Sequence, residues 1–302
     1  MKNLLLVCFL FTMPNFLSAK DKPQERAHED SITMLYNNVE KEFKYQTGTV
    51  TLEGGIAKIN VPKGFRFLGK EDAEKVVFDM WGNPRTGSIA GLLTSENQKI
   101  LSENSWAFII TFDDMGYVSD TDADKINYDD MLKDIQEAEK EENKEREKEG
   151  FPAIHLVGWA QKPYYDKNRK VLHWAKELAF GSETDHTLNY NVRVLGRKGV
   201  LVLNAVGNMG NLPDINKNIE SVLNSVEYTE GNKYAEFQPS LDKVAAWTVG
   251  GLVAGKVMAK VGIVAVIAKF GKVIFIAVAA GGSAVWRFIR GRRKEEDEEV
   301  AS

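Results

Sequence analysis

Residues 171–206 read VLHWAKELAFGSETDHTLNYNVRVLGRKGVLVLNAV, and three strands can be laid along them. Val171 to Phe180, Leu188 to Leu195 and Val200 to Val206 are rich in β-branched, aromatic and aliphatic residues, and each stops at a turn signal. Gly196-Arg197-Lys198-Gly199 joins the last two. Upstream, Ala153 to Ala160 makes another strand, joined to Val171 across Pro163 to Arg169. Successive hairpins of this kind give an antiparallel sheet.

The same reading extends toward the N-terminus. Thr49 to Val61 is a hairpin around Gly54-Gly55, Pro62-Lys63-Gly64 a turn, and Glu71 to Met80 a short helix stopped before Asn83-Pro84. Trp106, Phe108, Ile110 and Phe112 alternate along a strand with one aromatic face. Helical spacing appears in Asp30 to Tyr45, through Ile32, Leu35, Tyr36, Val39 and Phe43. Asp124 to Glu149 is a second helix, with Asp124 as its cap and Ile126, Met131, Leu132, Ile135 and Ala138 turned inward. From Glu139 onward it has only Asn143 uncharged, so that half is expected to project into solvent. Asp214 is expected to cap a helix carrying Ile215, Ile219, Val222, Leu223 and Val226. The fold class that follows is α+β: an antiparallel sheet built of hairpins with helices on one face, plus a C-terminal transmembrane region.

That last region is the apolar run from Val244 to Trp286, which leads into Arg287, Arg290, Arg292, Arg293 and Lys294. A bilayer core takes about 20 helical residues. The best single span is Val273 to Ile289, with the basic cluster held on the cytoplasmic side. Val244 to Ala268 carries Lys256 and Lys260, each costing about 2.5–3.5 kcal/mol at a bilayer centre, so it either lies along the interface or forms a first span. Gly251 and Gly255 have the spacing that lets membrane helices pair. At the other end, Lys2, the apolar Leu4 to Leu17 and Ser18-Ala19 have the layout of a signal peptide. The expected organisation is therefore a signal peptide (1–19), an extracytoplasmic domain (20–235), a linker (236–243), a membrane-embedded segment (244–290) and a charged cytoplasmic tail (291–302). Cys8 is the chain's one cysteine, so cleavage after Ala19 leaves no disulfide and no thiol chemistry.

A net charge of −4 gives no reason to expect nucleic acid as a partner. Asp120, Asp122 and Asp124 open like a calcium loop, but Lys125 and Met131 stand where that loop needs Gly and Glu. His155 and His173 cannot share a metal. With the hairpin loop centred on Lys167, they lie about six residues apart, near 20 Å at ~3.3 Å per residue. No cofactor or metal is expected. In that register, Leu156, Leu172, Trp174, Leu178 and Phe180 share one face, while His155, Trp159, His173, Ala175 and Glu177 share the other. The second face, with Tyr164 and Tyr165 in the adjoining loop, is an aromatic patch with a few polar groups, as recognition surfaces are. Trp159, Tyr164, Tyr165, His173 and Glu177 are the candidate binding residues. The competing expectation is that the helices of Asp30 to Tyr45 and Asp214 to Val226 cover this face.

Several phrases carry a family resemblance. They are Phe151 to Ala160 (FPAIHLVGWA) with Pro163, His173 to Leu178 (HWAKEL), and Leu188 to Gly199 (LNYNVRVLGRKG). Asp122 to Lys125 and Asp242 to Ala246 add to them. The chain resembles a bacterial family of uncharacterised membrane-anchored proteins, a domain of unknown function. The resemblance implies a secreted domain with a C-terminal anchor and brings no catalytic residues with it. The order of elements is also similar to that of PsbP-like periplasmic sandwiches. The expected function is a non-catalytic binding or scaffold module of the bacterial envelope, at the inner membrane, with lipid and an envelope protein as partners. The alternative is an envelope hydrolase using His173, Glu177 or Asp113 in acid/base roles.

Overall fold

The computed structural model describes residues 38–255, except 84, 86, 103–104, 149–151 and 182–183. In chain order the elements are β1 (Tyr45–Gln46), β2 (Thr49–Thr51), β3 (Ala57–Asn60), β4 (Phe65–Gly69), α1 (Lys70–Glu74), β5 (Gly91–Ser95), β6 (Ala107–Asp113), β7 (Tyr117–Ser119), α2 (Tyr128–Lys148), β8 (Ile154–Asp166), β9 (Val171–Phe180), β10 (Thr187–Leu195), β11 (Val200–Asn208), α3 (Leu212–Leu223), β12 (Val226–Tyr228), β13 (Val244–Thr248) and α4 (Val249–Ala254). An eight-stranded sheet in the order β1-β4-β5-β6-β11-β10-β9-β8 is the spine, and every pair in it is antiparallel. The β10–β11 hairpin closes with Leu195 opposite Val200. Gly199 is required in its loop, because a Cβ there would lie 2.1 Å from the Asp113 carbonyl oxygen.

Helices lie on both faces of this sheet, not on one. The reason is in the central strands, where Leu92 and Leu93 of β5 and Ala107 to Ile110 of β6 are all buried. Strands apolar on both sides need cover on both sides. On the front face, Trp106, Phe108, Ile110, Tyr190, Val192 and Leu203 pack under α3 and the small sheet β12-β3-β2. The Tyr228 hydroxyl ties that sheet down: it donates to the Val194 carbonyl at 2.9 Å and accepts from the Leu201 amide at 2.8 Å. On the back face, Leu68, Leu92, Ala107 and Ile109 pack against Ala73, Val76 and Val77 of α1 and its π-helical continuation Lys75–Met80. Phe43 and Val39 join this back cluster, so the segment before β1 does not cover His173. Of the expected helix Asp30 to Tyr45, residues 38–45 are described: 38–42 are helical, and Tyr45 already belongs to β1.

α2 departs most from expectation. Asn127, not Asp124, caps it, accepting from the amides of Asp129 and Asp130. Ala138 faces solvent. The half after Glu139 is docked rather than projecting. Asn143 is buried, donates to the Ile154 carbonyl and accepts from the Ile154 amide, both at 2.8 Å. Glu139 accepts from the Leu156 amide at 2.8 Å, Gln136 donates to the Leu156 carbonyl at 2.8 Å, and Arg146 donates to the Pro152 carbonyl at 3.1 Å. β8 is the outer strand, and its backbone groups need partners. Polar side chains of α2 supply them, so the helix is held by hydrogen bonds where it lacks apolar residues.

β13 and α4 also correct an expectation. Val244 to Thr248 is a strand paired in parallel with β7, and Ala245, Val249 and Val253 are buried. Part of the expected linker is held as well: Arg197 makes two hydrogen bonds to Asp242, at 2.7 and 3.0 Å. Gly255 ends α4 in the left-handed conformation, its amide donating to the Gly251 carbonyl at 2.9 Å. No helix of the described residues is long and apolar enough to cross a membrane. The expected span 273–289, the tail and the signal peptide lie outside the described residues.

Candidate functional site

The β8–β9 hairpin holds the five candidate residues, but β8 is bulged. Leu156 pairs with Leu178 as the uniform register requires, whereas Gly158 pairs with Glu177, Trp159 with Lys176, and Tyr164 with His173. A side chain changes face at each bulge. Trp159 therefore lies on the back face, where its indole N–H donates to the Tyr128 carbonyl at 3.1 Å. His173 faces Tyr164, not Gln161. Tyr165 turns to the back, and its hydroxyl donates to Asp120 at 2.8 Å.

The front face keeps Tyr164, His173 and Glu177. His173 is 8% exposed, and its Nδ1 lies 3.0 Å from the Tyr190 hydroxyl. Burial holds its pKa below the ordinary histidine value, and the nearby Arg169 guanidinium works the same way against Glu220. Tyr164 meets the His173 ring edge-on at 5.8 Å and is 56% exposed. Glu177 accepts from Nδ1 of His186 at 2.6 Å. Asp113 is on the opposite face, exposed, with its carboxyl pushed up by partial burial. The three groups that a hydrolase would bring together are thus not together.

The charged turn beside the hairpin takes up the aspartate series. Asp120 accepts from Lys170 at 2.8 Å, from Tyr165 at 2.8 Å and from Tyr234 at 3.1 Å. Burial works against its charge, but these hydrogen bonds outweigh it and hold the carboxyl below the usual range. Asp122 accepts from the Gly250 amide at 3.1 Å, and Asp124 pairs with Lys167. Three carboxylates that could have shared a cation each hold a different part of the chain.

A concavity of about 760 Å³ lies at the other end of the sheet, by β1 and β4, and no candidate residue lines it. Its Arg66 stacks 3.6 Å from the Tyr45 ring centroid and donates to Glu40 at 2.8 Å and to the Gln98 carbonyl at 2.7 Å. Sequence reasoning missed Tyr190, Lys176 and Arg193. A signal was present: Asn189, Asn191 and Arg193 alternate with Leu188, Tyr190 and Val192, a polar stripe on a strand otherwise read as core.

Residues 44–282 match the family model described as a protein of unknown function, DUF2167. The chain belongs to the DUF2167 family. No curated protein matches it. Solved structures similar to the DUF2167 chain include two of different origin. One is the solution structure of cyanobacterial PsbP (CyanoP) from Synechocystis sp. PCC 6803, 8% identical, covering 62% of this chain and 92% of its own, with a TM-score of 0.34. The other is the Ran-binding protein Mog1p of Saccharomyces cerevisiae, 11% identical, covering 65% of this chain and all of its own (100%), with a TM-score of 0.34.

Proposed function

We propose that this DUF2167 protein is a membrane-anchored binding or scaffold module of the bacterial envelope, with its folded unit on the extracytoplasmic side. The observation that carries the binding reading is the front of the β8–β9 hairpin. Tyr164 stands exposed on it, while His173 and Glu177 beneath are each held by a neighbour, Tyr190 and His186. Such an arrangement offers a rigid aromatic contact and no free acid/base pair. The topology rests on the signal-like Met1 to Ala19 and on the apolar run ahead of Arg287 to Lys294. Lipid is the partner this implies for the C-terminal end, and an envelope protein for Tyr164.

Three experiments test this. Leu241 is 76% exposed, so Leu241→Cys in a Cys8→Ser background places a lone thiol on the surface. A membrane-impermeant maleimide should label it in intact spheroplasts; labelling only after lysis would sink the topology. Tyr164→Ala should leave the melting temperature unchanged and remove a partner recovered from detergent-solubilised envelopes. Retention of every partner would remove Tyr164 from the reading. Hydrolysis of envelope material that disappears in His173→Ala would replace binding with catalysis.

A further inference from the structure

The back face of β9, β10 and β11 carries side chains that the proposed function does not use. Lys176 stands opposite Asn189, and Trp174 opposite Asn191. Asn191 in turn stands opposite Asn204. Arg193 follows Asn191 on the same face of β10. Its guanidinium lies 5.1 Å from the Trp174 ring centroid and donates to Asn191 Oδ1 at 3.2 Å and to the Val192 carbonyl at 2.9 Å. Asn191 passes a hydrogen bond to Asn189 Oδ1 at 2.6 Å.

The set is rich in donors and poor in acceptors. Among the described residues neither cation has a carboxylate partner at ion-pair distance; Glu139, Glu142 and Asp113 act only from farther off. Among the described residues the Lys176 ammonium also lacks a hydrogen-bond partner, and only burial and charges at a distance act on it. Trp174 is 2% exposed, and its indole N–H is buried without an acceptor. Buried donors almost always have acceptors, so an orphan beside two cations with no carboxylate at ion-pair distance points to a missing acceptor. Burial lowers Lys176 to about 8 and Arg193 to about 10, the direction expected of cations short of counter-charge. Lys176, Asn189 and Arg193 keep partial contact with solvent, whereas Trp174, Asn191 and Asn204 are the buried floor. A ligand can therefore arrive from the solvent side.

We propose that this back-face cluster binds a phosphate group, with Lys176 and Arg193 as its counter-charges and the Trp174 indole and Asn204 amide as neutral donors. The dianion of a phosphate monoester only accepts hydrogen bonds, which suits a cluster of donors. A monoester carries about −1.5 to −2 at neutral pH, which matches two cations better than a carboxylate does. The group could belong to a soluble phosphomonoester or to a lipid headgroup, and the cluster would hold either through the same contacts.

The test uses the purified full chain at pH 7, with glycerol 3-phosphate as the soluble probe and phosphatidylcholine vesicles, with or without phosphatidic acid, as the lipid probe. Glycerol 3-phosphate should raise the melting temperature. Lys176→Gln should weaken its Kd by at least about tenfold while leaving the unliganded melting temperature equal or higher, because an unpaired cation is removed. Asn204→Asp, of nearly the same size, should also abolish binding by placing a carboxylate in the cluster. Binding confined to vesicles with phosphatidic acid, and lost in Lys176→Gln, supports the site with lipid as the source. No binding of either probe, unchanged binding in both variants, or an equal shift with acetate would overturn the proposal.

Discussion

His173 shows how one side chain's neighbours decide its role. On the sequence it is a candidate base; in the fold it is a core residue bonded to Tyr190 under α3. Its lowered pKa fixes the direction of a pH effect. In the unfolded chain a histidine titrates near 6.5, so below about that pH the unfolded state binds a proton that the folded state resists. The contribution of a neutral His173 is present above that value and is lost as pH falls through it. The urea midpoint should therefore fall between pH 7 and pH 5, and His173→Gln should remove part of that slope. Equal slopes in the two proteins would mean that His173 titrates freely. Its partner Tyr190 was not legible as a partner, because the hydrogen bond crosses between strands whose pairing had first to be fixed.

At the scale of elements, hairpins with short loops were legible and bulged ones were not. Gly196 to Gly199 leaves little choice of register between β10 and β11, and the sequence spacing alone places Leu195 opposite Val200. β8 has a longer approach, and its register slips between Leu156 and Gly158, Trp159 and Gln161, and Gln161 and Tyr164. Nothing local demands those slips; they go with an edge strand that pairs with side chains of α2 on its free side. That explains why Trp159 was read onto the wrong face while Leu156, Leu172 and Trp174 were not. It also explains why the polar half of α2 looked detached: helical periodicity detects apolar contacts, and this contact is made by Glu139, Asn143 and Arg146. Asn143→Ala strands the amide and carbonyl of Ile154 and should cost about 1–3 kcal/mol in urea unfolding. Amide exchange at Ile154 and Leu156 should accelerate with it. Lys144→Ala, on the solvent side, should leave the midpoint where it was. If the two substitutions behave alike, α2 is not what protects the edge.

For the whole molecule, the question is where the folded unit ends. Val244-Ala245-Ala246-Trp247-Thr248 suits a bilayer or a protein core equally well by composition, so the apolar run concealed a strand. Long-range partners decide between the two. Tyr117 donates its amide to the Lys243 carbonyl at 2.8 Å, and Gly116 has a φ of +99° with only 2.7 Å from a would-be Cβ to that same carbonyl oxygen. Asp122 then receives the Gly250 amide at 3.1 Å. β7 and the turn after it thus hold residues 243–250, and Arg197 holds Asp242 just before them. Two truncations separate a tether from a structural part. A chain ending at Gly255 keeps β13 and α4 and should stay folded and soluble without detergent. A chain ending at Lys243 loses Val249 and Val253, whose burial is worth roughly 3–6 kcal/mol together, and leaves β7 without its partner strand. Its urea midpoint should fall well below that of the longer chain. Equal midpoints would show that residues 244–255 only rest against the domain.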